Sequence, residues 1–321
     1  MKHLIAKIHH PHLKKRAFLE LGGLLLLGLL SYTQRELISD AVHTISEVEV
    51  IWFVLLLASY WLLQPLTAIS YKMLTPKPKK LRIRTTMLAH LAGAGPGRVI
   101  PGGIGNLSIS AVHLKKTGLS IEQAVGVVIT NNIIGLFANL SLVAIALVVR
   151  PESLEILTSN ISSEQLVIAG IVGVGIVTFA QWLRHARSTR KEANKALSQW
   201  KNIVAKLLTS PSKLCGVLVI AMTIALVHTA MLDFSAYALG FDLIYFDALI
   251  ALSFGVAIGG VLPTPGGVGG VEAGIIAALV VLGYDPTQST SIALLFRIAT
   301  YGQPLIPGTL AYLYLRERKL L

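Results

Sequence analysis

Charge is scarce in this chain. Only 14% of the residues are Asp, Glu, Lys or Arg, against roughly 25% in an average soluble domain. A soluble fold of 321 residues could not cover its surface with so few, which excludes an ordinary cytosolic enzyme and a disordered chain. Cysteine is nearly missing. Cys215 stands alone, so no intramolecular disulfide can form and no cysteine-based metal cluster is expected. Acidic residues number 16 against 28 basic ones, giving a pI near 9.8. That balance would suit nucleic acid only as a basic face on a globular fold. Here the basic residues fall in short blocks between long apolar runs, so a nucleic-acid partner is excluded. There is also no Gly-x-x-x-x-Gly-Lys-Ser/Thr string, so no nucleotide-binding loop of that kind is present.

Apolar residues are what the chain has, at 54%, with a mean hydropathy of +0.68. A spanning helix needs about 20 mostly apolar residues. Six stretches meet or approach that length: Ala17–Ile38, Val48–Tyr71, Ile121–Val149, Glu164–Leu183, Leu214–Leu239 and Pro286–Leu315. The first has a short apolar core, Leu21–Leu30, but no small-x-small cleavage site follows it, so it reads as an uncleaved helix.

Basic residues set the direction of the spans. All of the 28 Lys and Arg except Arg35, Arg98, Arg150 and Arg297 lie in five blocks. These are the N-terminal tail, the segments 72–84, 115–116 and 184–213, and the C-terminal tail. The other connections are acidic, with Asp40, Glu47, Glu152, Asp242, Asp247 and Asp285. Alternating spans put all five basic blocks on one side, so both termini are expected in the cytoplasm of a multi-pass plasma (inner) membrane protein. In segment 184–213, Ala193, Ala196, Leu197, Trp200, Ile203, Val204, Leu207 and Leu208 recur at helical spacing among lysines. That predicts an amphipathic helix lying on the anionic inner leaflet.

Two further apolar regions, Thr85–Lys116 and Asp247–Gly283, are broken in the middle. The first reads LAGAGPGRVIPGGIGN from Leu91 and the second AIGGVLPTPGGVGGVE from Ala257. Proline lacks an N–H and glycine weakens a helix, so neither run can continue through its break. Each predicts a re-entrant hairpin of two short helices, although for the second, whose arms are longer, a pair of full spans would also satisfy the charge pattern. The expected fold is all-α and polytopic, with about six spans and two hairpins, or eight or more membrane helices if the hairpins are counted as spans.

The two breaks resemble each other. Pro101-Gly-Gly-Ile-Gly matches Pro265-Gly-Gly-Val-Gly, and Gly118-Leu-Ser aligns with Gly283-Tyr-Asp further on. Segments 48–149 and 213–315 thus read as an internal repeat within a single membrane domain spanning 1–321. Opposed flanking charge makes it an inverted repeat, the design of many secondary transporters. Bare backbone at membrane depth must be buried in protein or line a wet cavity, so two breaks meeting near the midplane imply a polar cavity.

At these residues the chain resembles the flippase-like family that includes the transmembrane region of bacterial lysylphosphatidylglycerol synthases. Pro263, Pro265, Gly266, Gly267, Gly269, Glu272, Gly283, Arg297 and Gly308 match its C-terminal pattern, and Pro96, Gly97 and Arg98 its N-terminal one. Asn106 or Ser108 stands where that pattern would carry an acid. Asn131 and Asn132 replace an Arg and an Asp typical of the third span. The resemblance implies lipid binding and translocation between leaflets. It leaves no room for the soluble aminoacyl-transferase domain of the synthases, so a stand-alone flippase-like protein is expected.

Ionisable residues at membrane depth are functional candidates by default. Glu272 reads as a proton-coupling carboxylate or the partner of a cation, or else as a capping residue. Arg297 would grip a lipid phosphate or pair with Glu272 or Asp233, and Arg98 would contact phosphate or fix the local backbone. Gly102, Gly103, Gly266 and Gly267 admit turns or close approach in the breaks, with Asn106 beside them, and Tyr301 and Gln303 would line the same cavity. Asp233 and His228 read as a proton relay or as structural hydrogen bonders. Asn131, Asn132 and Asn139 are expected to tie helices together. His90, His113 and His228 lack paired spacing, so no metal is expected, and no cofactor. The leading reading is a translocase or carrier for an anionic phospholipid or polyprenyl-phosphate-linked lipid. The alternative is a scaffold presenting lipid to a partner membrane enzyme. An intramembrane enzyme is disfavoured because no nucleophile, base and orienter can be assembled.

Overall fold

The computed structural model describes residues 48–76, 80–99, 104–160, 198, 200–205, 207–261, 264 and 266–321. The expected spans at Ala17–Ile38 and Glu164–Leu183 lie outside the described residues, as do Gly102 and Gly103. The described residues hold α-helices and no strand. Among the described residues, three helices are long and apolar enough to cross a membrane: α1 (Val50–Leu74), α4 (Ile121–Val149) and α6 (Pro211–Ala238). Short helices separate them. α2 (Ile83–Ala94) and α3 (Ile104–Lys116) form the first broken pair, and α5 (Pro151–Asn160) follows α4. α7 (Tyr245–Val261) and α8 (Gly270–Val281) form the second broken pair. The chain ends in α9 (Pro286–Arg297) and α10 (Leu305–Glu317). The protein is an all-α polytopic membrane protein.

The lengths follow from the breakers. At 1.5 Å per residue, the 25 residues of α1 reach roughly 37 Å, enough for a hydrocarbon core of about 30 Å. α2 and α8, with 12 residues each, reach only about 18 Å. The first pair stops at Gly95-Pro96, where the chain tightens into a 3-10 turn, Pro96–Val99. The second stops at three glycines with positive φ, Gly266 at +62°, Gly267 at +69° and Gly269 at +81°. Side chains rarely adopt that backbone.

One expectation changes. The last span was read as continuous over Pro286–Leu315. Instead a π-helical turn, Ile298–Gly302, interrupts it after Arg297. Gln303 N donates to the Ile298 carbonyl at 2.8 Å, five residues back. Pro304 has no N–H to carry the ladder on, so the helix restarts at Leu305. Widened turns of this kind cluster at functional sites.

α1 packs along α6, α7 along α8, and α10 against α2. Leu56, Leu232, Ile275, Ile292 and Leu295 are fully buried among them. A second cluster joins Leu74, Leu114, Val127 and Val217 with Ile203 and Leu207. The last two belong to the segment expected to rest on lipid. Both pack on protein helices, with Ile203 Cδ1 against Gly126 of α4, while Leu208 beside them is exposed.

Polar nodes fix the ends. Ser120 Oγ accepts from Gln123 N while Gln123 Oε1 accepts from Ser120 N, a reciprocal cap that starts α4. Asp285 Oδ1 accepts from Thr287 N and Gln288 N to start α9. Buried Asp247 accepts from Ser153 Oγ at 2.9 Å and from the Tyr284 hydroxyl at 3.0 Å, tying α5, α7 and the α8–α9 loop together. Burial, aided by that carboxylate, pushes the Tyr284 hydroxyl up to about 12, so it stays protonated and keeps donating.

Candidate functional site

A cavity of about 530 Å³ opens between the long helices and both broken pairs. Its wall from α1 is a polar stripe, Tyr60, Gln64, Thr67 and Ser70, spaced three or four residues apart and so on one helical face. α4 contributes Asn131, Gly135 and Asn139, again one face, with Asn132 beside it. α6 presents His228, α2 presents His90, and Arg98 and Asn106 come from the first break. Arg297 closes the wall from the end of α9.

Arg297 is the hub. Its Nε donates to Glu272 Oε1 at 2.8 Å and its Nη2 to the Gly266 carbonyl at 3.2 Å. The pair is mostly buried, with 12% and 15% of the side chains exposed. Glu272 sits in the first turn of α8, where the helix N-terminus also favours a carboxylate. Tyr301, one turn past Arg297, faces both arginines. The guanidinium carbons of Arg98 and Arg297 each lie 4.9 Å from its ring centroid, in cation–π range.

The two breaks meet at this ring. A Cβ placed on Gly266 would come within 2.4 Å of Tyr301 Cε2 and 3.4 Å of Arg98 Cβ. Gly266 therefore has to be glycine for both conformation and space. The first break uses glycine for space alone. A Cβ on Gly93 would strike the side-chain amide of Asn106 at 1.9 Å, and Gly95 lies against Gly308 of α10, where a Cβ would be 2.7 Å from backbone.

Arg98 differs from Arg297 in having no carboxylate. It forms no ion pair among the described residues, and its buried Nη1 has no hydrogen-bond partner. With Glu272 neutralising Arg297, one guanidinium charge at the cavity has no carboxylate partner among the described residues. Placing it there is costly without an anion to meet it.

Of the other candidates, Gln303 Nε2 donates to the Leu57 carbonyl at 3.2 Å, which ties the π turn to α1. Glu272 and Tyr301 contact the wall residue Arg297, but Glu272, Tyr301 and Gln303 do not line the cavity. His228 lines it and pairs through Nδ1 with the Ile224 carbonyl at 2.9 Å. Asp233 lies away from the lining, and its Oδ1 is buried without a partner. Asn139 pairs with Ser253 at 2.9 Å and Asn131 accepts from Ser70, so both tie helices while also lining the cavity. His113 joins Thr86 to the Leu320 carbonyl, binding the first broken pair to the C-terminal tail. Among the described residues no three His, Cys, Asp or Glu side chains gather as metal ligands would.

Sequence reading missed Tyr60 and Gln64. Gln64 Oε1 pairs with His90 Nδ1 at 2.8 Å, and its buried Nε2 has no partner. The signal was there, because Tyr60, Gln64, Thr67 and Ser70 repeat at helical spacing inside an apolar span.

An all-α membrane protein with broken helices converging on an arginine-bearing cavity is a class defined by this architecture. The chain belongs to the lysylphosphatidylglycerol synthase transmembrane-region family, whose model matches residues 19–308. No curated protein matches it in sequence.

Proposed function

We propose that the cavity binds the anionic head group of a membrane lipid, a phospholipid or a polyprenyl-phosphate-linked lipid, and carries it between leaflets. The observation behind this is Arg98. It is a guanidinium with a buried, unpartnered Nη1, in a family named for a lipid synthase's membrane region. A phosphate oxygen would satisfy Nη1 by a charge-assisted hydrogen bond. Arg297, held by Glu272 and the Gly266 carbonyl, shapes the positive field beside it. The protein acts as a carrier rather than an enzyme, in the plasma membrane, with both termini and the segment 184–213 cytoplasmic. Segments 48–149 and 213–315 form an inverted repeat whose two breaks rock about the site. Movement is driven by a gradient or is passive.

Scrambling of a fluorescent anionic lipid in proteoliposomes tests this reading. The wild-type chain alone should accelerate exchange, and Arg98→Gln should slow it about tenfold or more, from the loss of one charge-assisted contact. Lipid binding without exchange would favour a scaffold that presents lipid to a partner enzyme. Arg98→Gln with unaltered binding and exchange would sink the anion site.

A further inference from the structure

We propose that the last membrane helix is hinged at its π turn. The first broken pair and α10 then move as one body against α7, α8 and α9, and Tyr301 is the latch between the two. The use of this motion to open the cavity toward the far leaflet rests on the carrier reading above. The hinge itself does not.

Close backbone contact defines each body. In the first, Gly308 of α10 lies on α2, where a Cβ would come within 2.5 Å of the Leu91 carbonyl and 2.8 Å of Gly95 N. α3 packs on α2, and its His113 pairs through Nδ1 with the Leu320 carbonyl, just past α10, at 3.3 Å. In the second, α7 and α8 meet at glycines. A Cβ on Gly274 would come within 2.7 Å of Gly255 Cα, and one on Gly259 would strike the Val271 side chain. α9 packs on α8. Interlocked surfaces of this kind resist sliding, so each group travels as a unit.

Between the bodies the packing is thin. Among the described residues, no helix of one packs extensively along a helix of the other. Each leans on a long helix instead, α2 on α1, and α7 and α9 on α6. What joins them is Tyr301. Its ring meets Arg98 from the first body and Arg297 from the second, each guanidinium carbon 4.9 Å from the centroid. Both arginines line the cavity and Tyr301 does not, so the ring backs the cavity wall. Two cation–π contacts are weak beside a packed helix interface, which lets such a latch release.

The covalent link is soft at the same place. The π turn is closed by Gln303 N on the Ile298 carbonyl. Within it, Thr300 Oγ1 donates back to the Phe296 carbonyl at 2.8 Å, a bond that bends helices. Pro304 and Pro307 bring no N–H to the restart. Gly302 is exposed, and a Cβ there would meet nothing within 4 Å. Neither space nor a positive φ calls for glycine at 302, so its backbone freedom is what it adds. Gln303 Nε2 holds the turn to the Leu57 carbonyl of α1, which supplies a pivot. Hinges are built from a few element-terminal residues of this sort.

The test reads two distances by double electron–electron resonance, on the full chain with Cys215→Ser, in vesicles of phosphatidylethanolamine and phosphatidylglycerol. Spin labels on Lys116→Cys and Leu310→Cys report within the first body, and labels on Val280→Cys and Leu310→Cys report between the bodies. All three positions are exposed. Tyr301→Leu should shift or broaden the 280–310 distance by about 5 Å or more and leave the 116–310 distance unchanged. Adding Gly302→Ala and Pro304→Ala, which stiffens the turn and gives it another N–H, should return the 280–310 distance to its wild-type value. Gly266→Ala, which drives a methyl at the same ring, replaces Tyr301→Leu should that variant fail to fold. A 280–310 distance indifferent to the loss of Tyr301 would overturn the latch and the hinge. So would movement within the 116–310 pair, or a shift that the stiffened turn does not reverse. These distances need no lipid exchange, so a chain that shows them without scrambling lipid keeps the hinge and loses the carrier reading alone.

Discussion

The two broken hairpins share a Pro-Gly-Gly string and do different work. The first, α2 with α3, carries a cation in its break. Arg98 stands there beside Asn106, and neither finds a full set of partners. The second, α7 with α8, carries no charge at its tip. Its positive-φ glycines turn the Gly266 carbonyl toward Arg297, and Glu272 follows one turn into α8. One hairpin offers a free charge and the other holds a neighbouring charge in place. Local similarity in sequence thus reflects a shared need to break a helix, while the placement of charge resides in the residues that differ. The starts of the following helices stay alike. Gly118 at φ +97° leads two residues later to the Ser120 cap, and Gly283 at φ +98° leads to the Asp285 cap.

This contrast can be broken at its strongest point by removing the holder's charge. Glu272→Gln leaves Arg297 mostly buried and unpaired, and should lower unfolding stability by about 3 kcal/mol. Adding Arg297→Gln should recover most of that in detergent melts. A double variant as unstable as the single one would mean that the pair is not what Glu272 stabilises.

The glycine comparison comes next in size. Gly266→Ala places a Cβ 2.4 Å from Tyr301 at a φ of +62°. It should cost about 2–3 kcal/mol, strain and collision together. Gly240 has a similar φ of +74° but nothing within 4 Å, so Gly240→Ala should cost only about 1 kcal/mol. Equal melting shifts would show that Tyr301 yields freely and that the hairpin contact is loose.

The capping residues offer a sharper equality. Ser120→Ala and Asp285→Ala should each cost about 1 kcal/mol. A large difference in the melts would mark one half as held mainly by its cap and the other by packing.

The smallest stability effect belongs to the free charge. Arg98→Gln removes a buried guanidinium without a carboxylate partner and loses only its contact with the Tyr301 ring, so melting should stay within about 1 kcal/mol of wild type. Binding of anionic lipid should nevertheless fall about tenfold or more. A large loss of stability instead would make Arg98 a structural residue like Arg297.

Periodicity and breakers were enough to read much of this architecture in advance. Ile121–Val149 has the same ends in the sequence reading and in the structure, and α1 and α6 differ by a few residues at their ends. Their apolar runs leave no other way to satisfy backbone groups in lipid. Both breaks were also legible, since Pro and Gly act locally. The π turn after Arg297 was not, because apolar runs on either side of Gly302 and Pro304 mask the lost ladder bond. The placement of Ile203 and Leu207 was not legible either. An amphipathic face looks the same whether it covers lipid or protein, and only the partner surface of α4 and its neighbours decides.

For the site, residue type alone marked Arg98, Glu272 and Arg297, because charge at depth is costly and therefore conspicuous. Which of them pair was a matter of three-dimensional distance. Arg297 was left open between Glu272, Asp233 and a ligand, and the fold brings it to Glu272 Oε1 at 2.8 Å. Gln64 and His90 are 26 residues apart in the chain and share a hydrogen bond in the cavity wall. Sequence by itself determined that the chain is a membrane protein with two helix breaks and charges at depth, since hydropathy and helix breaking are properties of short segments. Only the tertiary structure decided which charge is neutralised and which stays free, because pairing depends on how distant segments converge around Tyr301.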